Sequence, residues 1–491
     1  MLLRLYESQQ PPAFHDDLLI LKLRPTAANL ASSLGAQPMG IAGAQPAFGP
    51  MGLSHGLALL SVYERSGFIK RVVPLGKRTR ARGAGAPLMG VATMLSTAAA
   101  SDQVPQDSTG VNILELQEGT NVDQLRMSLG ADPNVEFVSR VPIRYLMGRA
   151  RQVPRAPRAA GGATIAATPP AENMLWNLQK IRWYDARQTL NLADDVRVAV
   201  LDTGIDLGHP DLPGSEINYV HDYPESQASA SDQDIIGHGS HVSGTIRAII
   251  DNHIGIDGIS KCKLSVYKIF GDDTAPDPIP TQAPYYYPYY VDPILYRAAL
   301  AAALDDGIQV INLSIGGYGA PDPQERTLFQ SLIQGGVSVV AAMGNDNTSN
   351  PSYPAAFDGV IGVGATAADD TRAQFSNSGP NIALSAPGVG IWSTLPTYPG
   401  QTGFYAVRGA AGGWIKGAPM TRETDYDAWD GTSMACPHVT ASAALAIAKY
   451  GTLSPAAMKA KLQAAVDVVP DMQGQNFTNY YGSGRLNLLK L

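Results

Sequence analysis

Asp430-Gly431-Thr432-Ser433-Met434-Ala435-Cys436-Pro437-His438-Val439 runs without a break into Thr440-Ala441-Ser442-Ala443-Ala444-Leu445-Ala446-Ile447-Ala448-Lys449. Gly431 permits a tight turn and a close backbone approach, and the alanine-rich run behind it has high helix propensity with little bulk. The pattern puts Ser433 at the mouth of a helix. Unpaired N–H groups and the positive end of the dipole there suit an oxygen that turns anionic during acyl transfer. A serine at a helix start is also an ordinary N-cap, so the reading depends on partners elsewhere: an imidazole to take the proton and a carboxylate to orient the imidazole.

Both are present. Val198-Ala199-Val200-Leu201-Asp202-Thr203-Gly204 is an apolar run that ends in a carboxylate and then a glycine, the pattern of a buried strand delivering Asp202 at its carboxyl end. Gly237-His238-Gly239-Ser240-His241-Val242 sets His238 between two glycines at a helix start. His241 is the rival base, but only His238 has glycine on both sides.

The three segments resemble the subtilisin-like serine proteases, the subtilases, whose Asp, His, Ser order is matched by Asp202, His238 and Ser433. The resemblance implies Ser433 as nucleophile, His238 as general base and Asp202 as its orienting carboxylate. It extends to Val339-Val340-Ala341-Ala342-Met343-Gly344-Asn345, where Asn345 matches the amide that donates to the tetrahedral intermediate. Loss of one such donor costs on the order of 100- to 1,000-fold in turnover. Ser314-Ile315-Gly316-Gly317 resembles the edge strand on which subtilases pair an extended peptide, with a facing rim expected to begin at Phe270-Gly271. For calcium, Asp211 and Asn252 match side-chain ligands of the family's site, with the carbonyls of Ile250, Ile254 and Ile256. No organic cofactor is implied.

The fold expected is α/β: a mostly parallel twisted sheet with helices on both faces, after a small α+β amino-terminal domain. Near-continuous apolar runs at Arg197 to Leu201, Leu264 to Ile269, Val310 to Ser314, Val337 to Ala341 and Val360 to Val363 alternate with helical patterns such as Ile294 to Asp305. Upstream, strands at Asp17 to Pro25, Asn112 to Leu116 and Val135 to Ile143 surround a helix at Asn121 to Gly130. This module, residues 1–147, resembles the subtilase propeptide, which assists folding and inhibits the cleft. Residues 148–172 form a linker carrying Arg149, Arg151, Arg155 and Arg158, and the catalytic domain spans 173–491. Two insertions, Thr274 to Pro293 and Pro396 to Tyr426, depart from the family pattern. The first contains Tyr285-Tyr286-Tyr287-Pro288-Tyr289-Tyr290 and falls where it would contact substrate.

With 491 residues the chain fits two to three domains, and 45% hydrophobic against 16% charged residues describes large cores. A net charge of −7 gives no nucleic-acid footprint. Cys262 and Cys436 are too few for a disulfide framework and read as structural. The first residues lack a secretory pattern and no run is long enough to cross a membrane, so the expectation is a monomer in the cytoplasm at synthesis, with export by a leaderless route. The function expected is a serine endopeptidase on extended protein and peptide substrates, made as a self-processing zymogen, with cleavage near Met147 or in the arginine-bearing linker. The alternatives are a transpeptidase or cyclase using the same acyl-enzyme, and a complex-forming protein held inhibited by its own amino-terminal domain.

Overall fold

The computed structural model describes residues 13–24, 60, 63, 65–75, 110–146, 149–150, 172–221, 232–274, 286–410 and 412–491. Met147, nearly all of the linker 148–172, and 275–285 of the first insertion lie outside them. The chain divides into two units, His15–Val141 and a larger one holding Pro142–Leu491 together with Met1–Phe14. The division falls at Val141, so Pro142 to Leu146 belong with the larger unit and not with the module ending at 147.

The smaller unit contains β1 (Phe14–Leu23), β2 (Ile69–Pro74), β3 (Val111–Leu116), α1 (Val122–Gly130) and β4 (Val135–Pro142). The strands lie in the order β2-β3-β1-β4, with β3 antiparallel to both β1 and β2. Asn121 caps α1 by accepting from the Gln124 N–H at 3.0 Å. Leu125 and Leu129, one turn apart, pack on Leu19, Leu21, Leu114 and Leu116, so one apolar stripe closes one sheet face.

The larger unit begins with β5 (Tyr145–Leu146) and β6 (Arg149–Ala150), followed by β7 (Arg197–Asp202), β8 (Asn218–Val220), α2 (His238–Arg247), β9 (Lys263–Lys268), β10 (Phe270–Thr274) and β11 (Tyr286–Val291). After these come α3 (Pro293–Asp305), β12 (Val310–Leu313), β13 (Ile315–Gly316), α4 (Pro323–Gln334), β14 (Ser338–Ala342), β15 (Ile361–Thr366), β16 (Ile382–Pro387) and β17 (Ile391–Thr394). The chain closes with β18 (Gln401–Arg408), β19 (Trp414–Thr421), β20 (Tyr426–Asp430), α5 (Thr432–Tyr450), α6 (Pro455–Ala464), β21 (Val466–Asp467) and β22 (Arg485–Leu486).

Nine strands form the main sheet in the order β21-β22-β16-β15-β14-β12-β7-β9-β8. All neighbours are parallel except β21 and β22. Successive side chains of β7 point to opposite faces, and both faces are apolar: Val198 and Val200 join the core under α2 and α5, while Ala199 and Leu201 join the core under α3 and α4. Helices therefore cover both sides. α5 is buried all round from Thr432 to Ile447, which the small alanines permit.

The two insertions meet. β11 from the first and β18 and β19 from the second join β10, the strand leading into the first insertion, in one antiparallel sheet in the order β10-β11-β18-β19, with Tyr286, Tyr287 and Pro288 facing Tyr405, Phe404 and Gly403. Among the described residues no helix is long and apolar enough to cross a membrane.

Candidate active site

Three elements deliver the three expected side chains. Asp202 is the last residue of β7, His238 the first of α2 and Ser433 the second of α5, and all are buried. His238 Nδ1–H donates to Asp202 Oδ1 at 2.7 Å, and the Thr203 N–H donates to the same oxygen at 2.8 Å. His238 Nε2 has no hydrogen-bond partner. Gly237 adopts φ +87° in the turn into α2, and a Cβ on Gly239 would lie 2.1 Å from the Gly204 carbonyl oxygen. The glycines on either side of His238 are thus what let the helix start abut the end of β7.

Ser433 is joined to the adjacent strand by two reciprocal bonds. Its hydroxyl donates to the Ser314 carbonyl at 2.8 Å, and the Ser314 hydroxyl donates to the Ser433 carbonyl at 3.0 Å. That carbonyl is open because Pro437, four residues on, has no N–H to offer it. Ser433 Oγ bonds to Ser314 and not to His238.

Asn345 Oδ1 accepts from both the N–H and the hydroxyl of Thr432, each at 2.9 Å. Two donors on one oxygen fix the amide's orientation and leave Nδ2 as its donating face. The Ser433 N–H, in the first turn of α5, is one of the helix's unpaired donors.

Tyr145 and Leu146 pair antiparallel with Gly316 and Ile315, the strand expected to receive peptide. On the other side, the Val291 N–H in β11 donates to the Arg144 carbonyl at 3.0 Å. The facing rail is therefore β11. Phe270 is fully buried in the core opposite Val291, and Gly271 follows it in β10, so the rim expected at Phe270-Gly271 lies one strand further out. Gly317 adds a bridge to Tyr353.

The profile described as Subtilase family, Peptidase S8, matches residues 193–484. The chain belongs to the subtilase family. It is 33% identical over 329 residues to subtilisin BL of Lederbergia lenta, covering 65% of this chain and 98% of that protein. It is 32% identical over 299 residues to subtilisin E of Bacillus subtilis (strain 168) and to subtilisin amylosacchariticus of Bacillus subtilis subsp. amylosacchariticus. In each case it spans 65% of the relative's length. Fervidolysin from Fervidobacterium pennivorans, titled a keratinolytic enzyme related to subtilisin, shares the fold with a TM-score of 0.62 at 22% identity, over 99% of this chain and 62% of that one.

Of the expected calcium ligands, the Asp211 and Asn252 side chains meet in this subtilase as a hydrogen-bonded cluster, which Ile254 and Ile256 join through their N–H groups and not their carbonyls. Asp211 Oδ1 accepts from Asn252 Nδ2 at 2.7 Å, and Oδ2 accepts from the Ile256 N–H at 2.8 Å and the Tyr426 hydroxyl at 3.2 Å. Asn252 Oδ1 is taken by the Ile254 N–H at 2.9 Å. Asp211 Oδ2 takes two donors and Asn252 turns its Nδ2, not its Oδ1, towards Asp211, so this donor set does not fit calcium as arranged. Among the described residues no group of three or more acidic, histidine or cysteine side chains is set to hold a metal. Burial pushes the Asp211 carboxyl up to about 7.

The other histidines in the site's helices are structural. His241 Nε2 bonds to the Ile391 carbonyl and its ring stacks on Trp429, and burial pulls its pKa down to about 3. His438 donates from Nδ1 to the Met434 carbonyl and accepts at Nε2 from Asn177, with a pKa pulled down by burial to about 4. Cys262 and Cys436 are buried thiols, pushed up to about 11 and about 12.

Sequence reasoning missed Asp234. Its Oδ1 accepts from the Thr203 hydroxyl at 2.7 Å and the Gly237 N–H at 2.8 Å, and its Oδ2 from the Ser240 N–H at 2.9 Å and hydroxyl at 2.8 Å. One carboxylate thus ties the end of β7 to the first turn of α2. The only sequence signal was an acid four residues before His238, of the kind that favours a helix start.

Proposed function

We propose that this subtilase is a serine endopeptidase working through an acyl-enzyme and made as a self-processing zymogen. The observation that carries it is the buried Asp202–His238 bond, which commits Nδ1 and leaves Nε2 as the one nitrogen able to take a proton, together with Ser433 at the start of α5. Ser433 Oγ attacks the peptide carbonyl and passes its proton to His238 Nε2, which then hands it to the leaving amine. Asp202 keeps the proton on Nδ1 and steadies the imidazolium. Asn345 Nδ2 and the Ser433 N–H receive the charge that builds on the carbonyl oxygen. Substrate lies extended between β13 and β11, recognised mainly through its backbone.

Self-processing is supported by the two flanks of residues 147 and 148. Tyr145 and Leu146 lie on β13, while Arg149 and Ala150 pair with Asp430 and Trp429 of β20, the strand that leads into Ser433. Leu146 is the last described residue on the β13 ladder, opposite Ile315, and Ser433 bonds to the neighbouring Ser314, so we place the proposed cut after residue 147. The unit His15–Val141 then acts as the inhibitor released on processing.

Wild type and Ser433→Ala are compared on an unfolded protein substrate and by intact mass. The wild type digests the substrate and its mature amino terminus begins at residue 148, while Ser433→Ala stays full length and inert. Equal digestion by the two proteins refutes the endopeptidase reading.

A further inference from the structure

The Arg144 side chain is a buried cation on a strand that otherwise lies as a substrate would. It is 2% exposed, and its partner Glu325 is 1% exposed. Arg144 Nε and Nη2 grip Glu325 Oε1 and Oε2 at 3.2 and 2.8 Å, a two-pronged fork. Nη1 donates to the Gly319 carbonyl at 3.0 Å and to the Ile143 carbonyl at 3.3 Å, and the guanidinium carbon sits 5.9 Å from the centre of the Tyr353 ring. The pocket is built for this shape. A Cβ on Gly317 would lie 2.3 Å from the Ile143 carbonyl oxygen and 3.4 Å from Arg144 Nη1, so only glycine lets the strand approach.

Glu325 is held from behind. It lies in the first turn of α4, where the dipole favours a carboxylate, and its N–H is capped by Asp322 at 3.0 Å. The nearby cation Arg297 is engaged by Asp322. Among the described residues Arg144 is the one cation bonded to Glu325. A buried carboxylate deprived of its counter-charge is costly, so the pocket favours whatever restores a guanidinium. Lysine, with one point charge and no fork, restores less of it.

We propose that Glu325 makes the fourth position before the cut an arginine subsite, which sets the substrate preference of this enzyme. The proposal rests on the endopeptidase reading and on the bond after residue 147, which puts Tyr145 third and Arg144 fourth. After processing, Arg144 leaves with the amino-terminal fragment, and an arginine of the next substrate takes over its bonds to Glu325 and Gly319.

The test uses the full chain as expressed and self-processed, with fluorogenic tetrapeptides X-Ala-Leu-Met-aminomethylcoumarin where X is Arg, Lys, Ala or Glu. The expected order of kcat/KM is Arg, Lys, Ala, Glu, with Arg over Ala by about 10- to 100-fold. In Glu325→Gln the Arg-to-Ala ratio falls below about 3, because a neutral amide accepts at one oxygen only. Should that variant fail to fold, product inhibition of the wild type replaces it: Ile-Arg-Tyr-Leu-Met is expected to inhibit at least tenfold better than Ile-Ala-Tyr-Leu-Met. A wild type that cleaves the Ala and Arg peptides equally, or is inhibited equally by the two products, overturns the subsite assignment alone. Failure to cleave any member overturns the endopeptidase reading and this proposal with it.

Discussion

Replacing Asp234 by asparagine turns one of two carboxylate oxygens into a donor, and both oxygens face donors. On one side stand the Thr203 hydroxyl and the Gly237 N–H, on the other the Ser240 N–H and hydroxyl. A hydroxyl can rotate away to find another acceptor, but a backbone N–H cannot. Whichever way the new amide turns, one buried N–H beside His238 is orphaned and a second bond weakens. Hydrogen bonds to a charged group contribute about 1.5–3 kcal/mol each, so the expected loss of stability is about 3 kcal/mol. The catalytic effect comes from position: Gly237 and Ser240 flank His238, and a slackened first turn lets the ring drift from its bond to Asp202, for an expected fall in kcat of about tenfold or more. KM is expected to change little, because Asp234 bonds to neither β13 nor β11. Stability is read by urea unfolding in a Ser433→Ala background, where self-digestion cannot intrude, and kcat and KM on a peptide substrate in the active form. A variant within 1 kcal/mol of wild type with unchanged kcat refutes the reasoning.

Asn345→Ala is expected to lower kcat about 100- to 1,000-fold with KM nearly unchanged, measured by steady-state hydrolysis, since its amide is asked to act on the transition state alone. His241 and His438 are expected to remain neutral at pH 5, with no protonation shift in their ring signals by NMR. Because the unfolded chain takes up protons that these two rings refuse, they make stability fall as pH drops from about 6.5 towards 4, by about 3 kcal/mol for His438 once its full depression is spent. Asp211, raised to about 7, pulls the opposite way in the same window, so the net slope is gentler than the histidines alone would give. Tyr426→Phe removes one donor from Asp211 and is expected to cost about 1 kcal/mol, while a calcium chelator leaves the calorimetric Tm unmoved. A chelator-induced drop of several degrees would show that a cation holds this loop.

The parts of the molecule that were readable in sequence are those where a local pattern forces a local structure. Asp202 ends an apolar run, His238 sits between glycines and Ser433 opens an alanine-rich helix, and each occupies the predicted place. The helix read at Asn121 to Gly130 spans Val122–Gly130, with Asn121 standing as its cap, and β7, β9, β12 and β14 fall within a residue or so of their apolar runs. What stayed hidden depends on partners distant in the chain. Arg144 and Glu325 are separated by 181 positions, and nothing local distinguishes a buried arginine from a solvated one. β2 (Ile69–Pro74) reads as mixed sequence because Lys70 and Arg71 separate Ile69 from Val72 and Val73 without alternation. β16 is wholly buried yet absent from the expected strands, because its alanines and serine dilute the apolar signal of Ile382 and Leu384. The Phe270 rim failed for a related reason: a large aromatic in a strand serves the core as readily as a surface, and here the core claimed it.

The β11–β18 seam has a practical corollary for anyone trimming the enzyme. Excising either surface excursion alone would strip the other of its neighbour and bare a row of unsatisfied amides on a tyrosine-bearing border, an invitation to self-association. A minimised protease must lose both ribbons together or keep both, and since the Val291 N–H also bonds to the Arg144 carbonyl, losing both strips that segment of one of its two flanking strands.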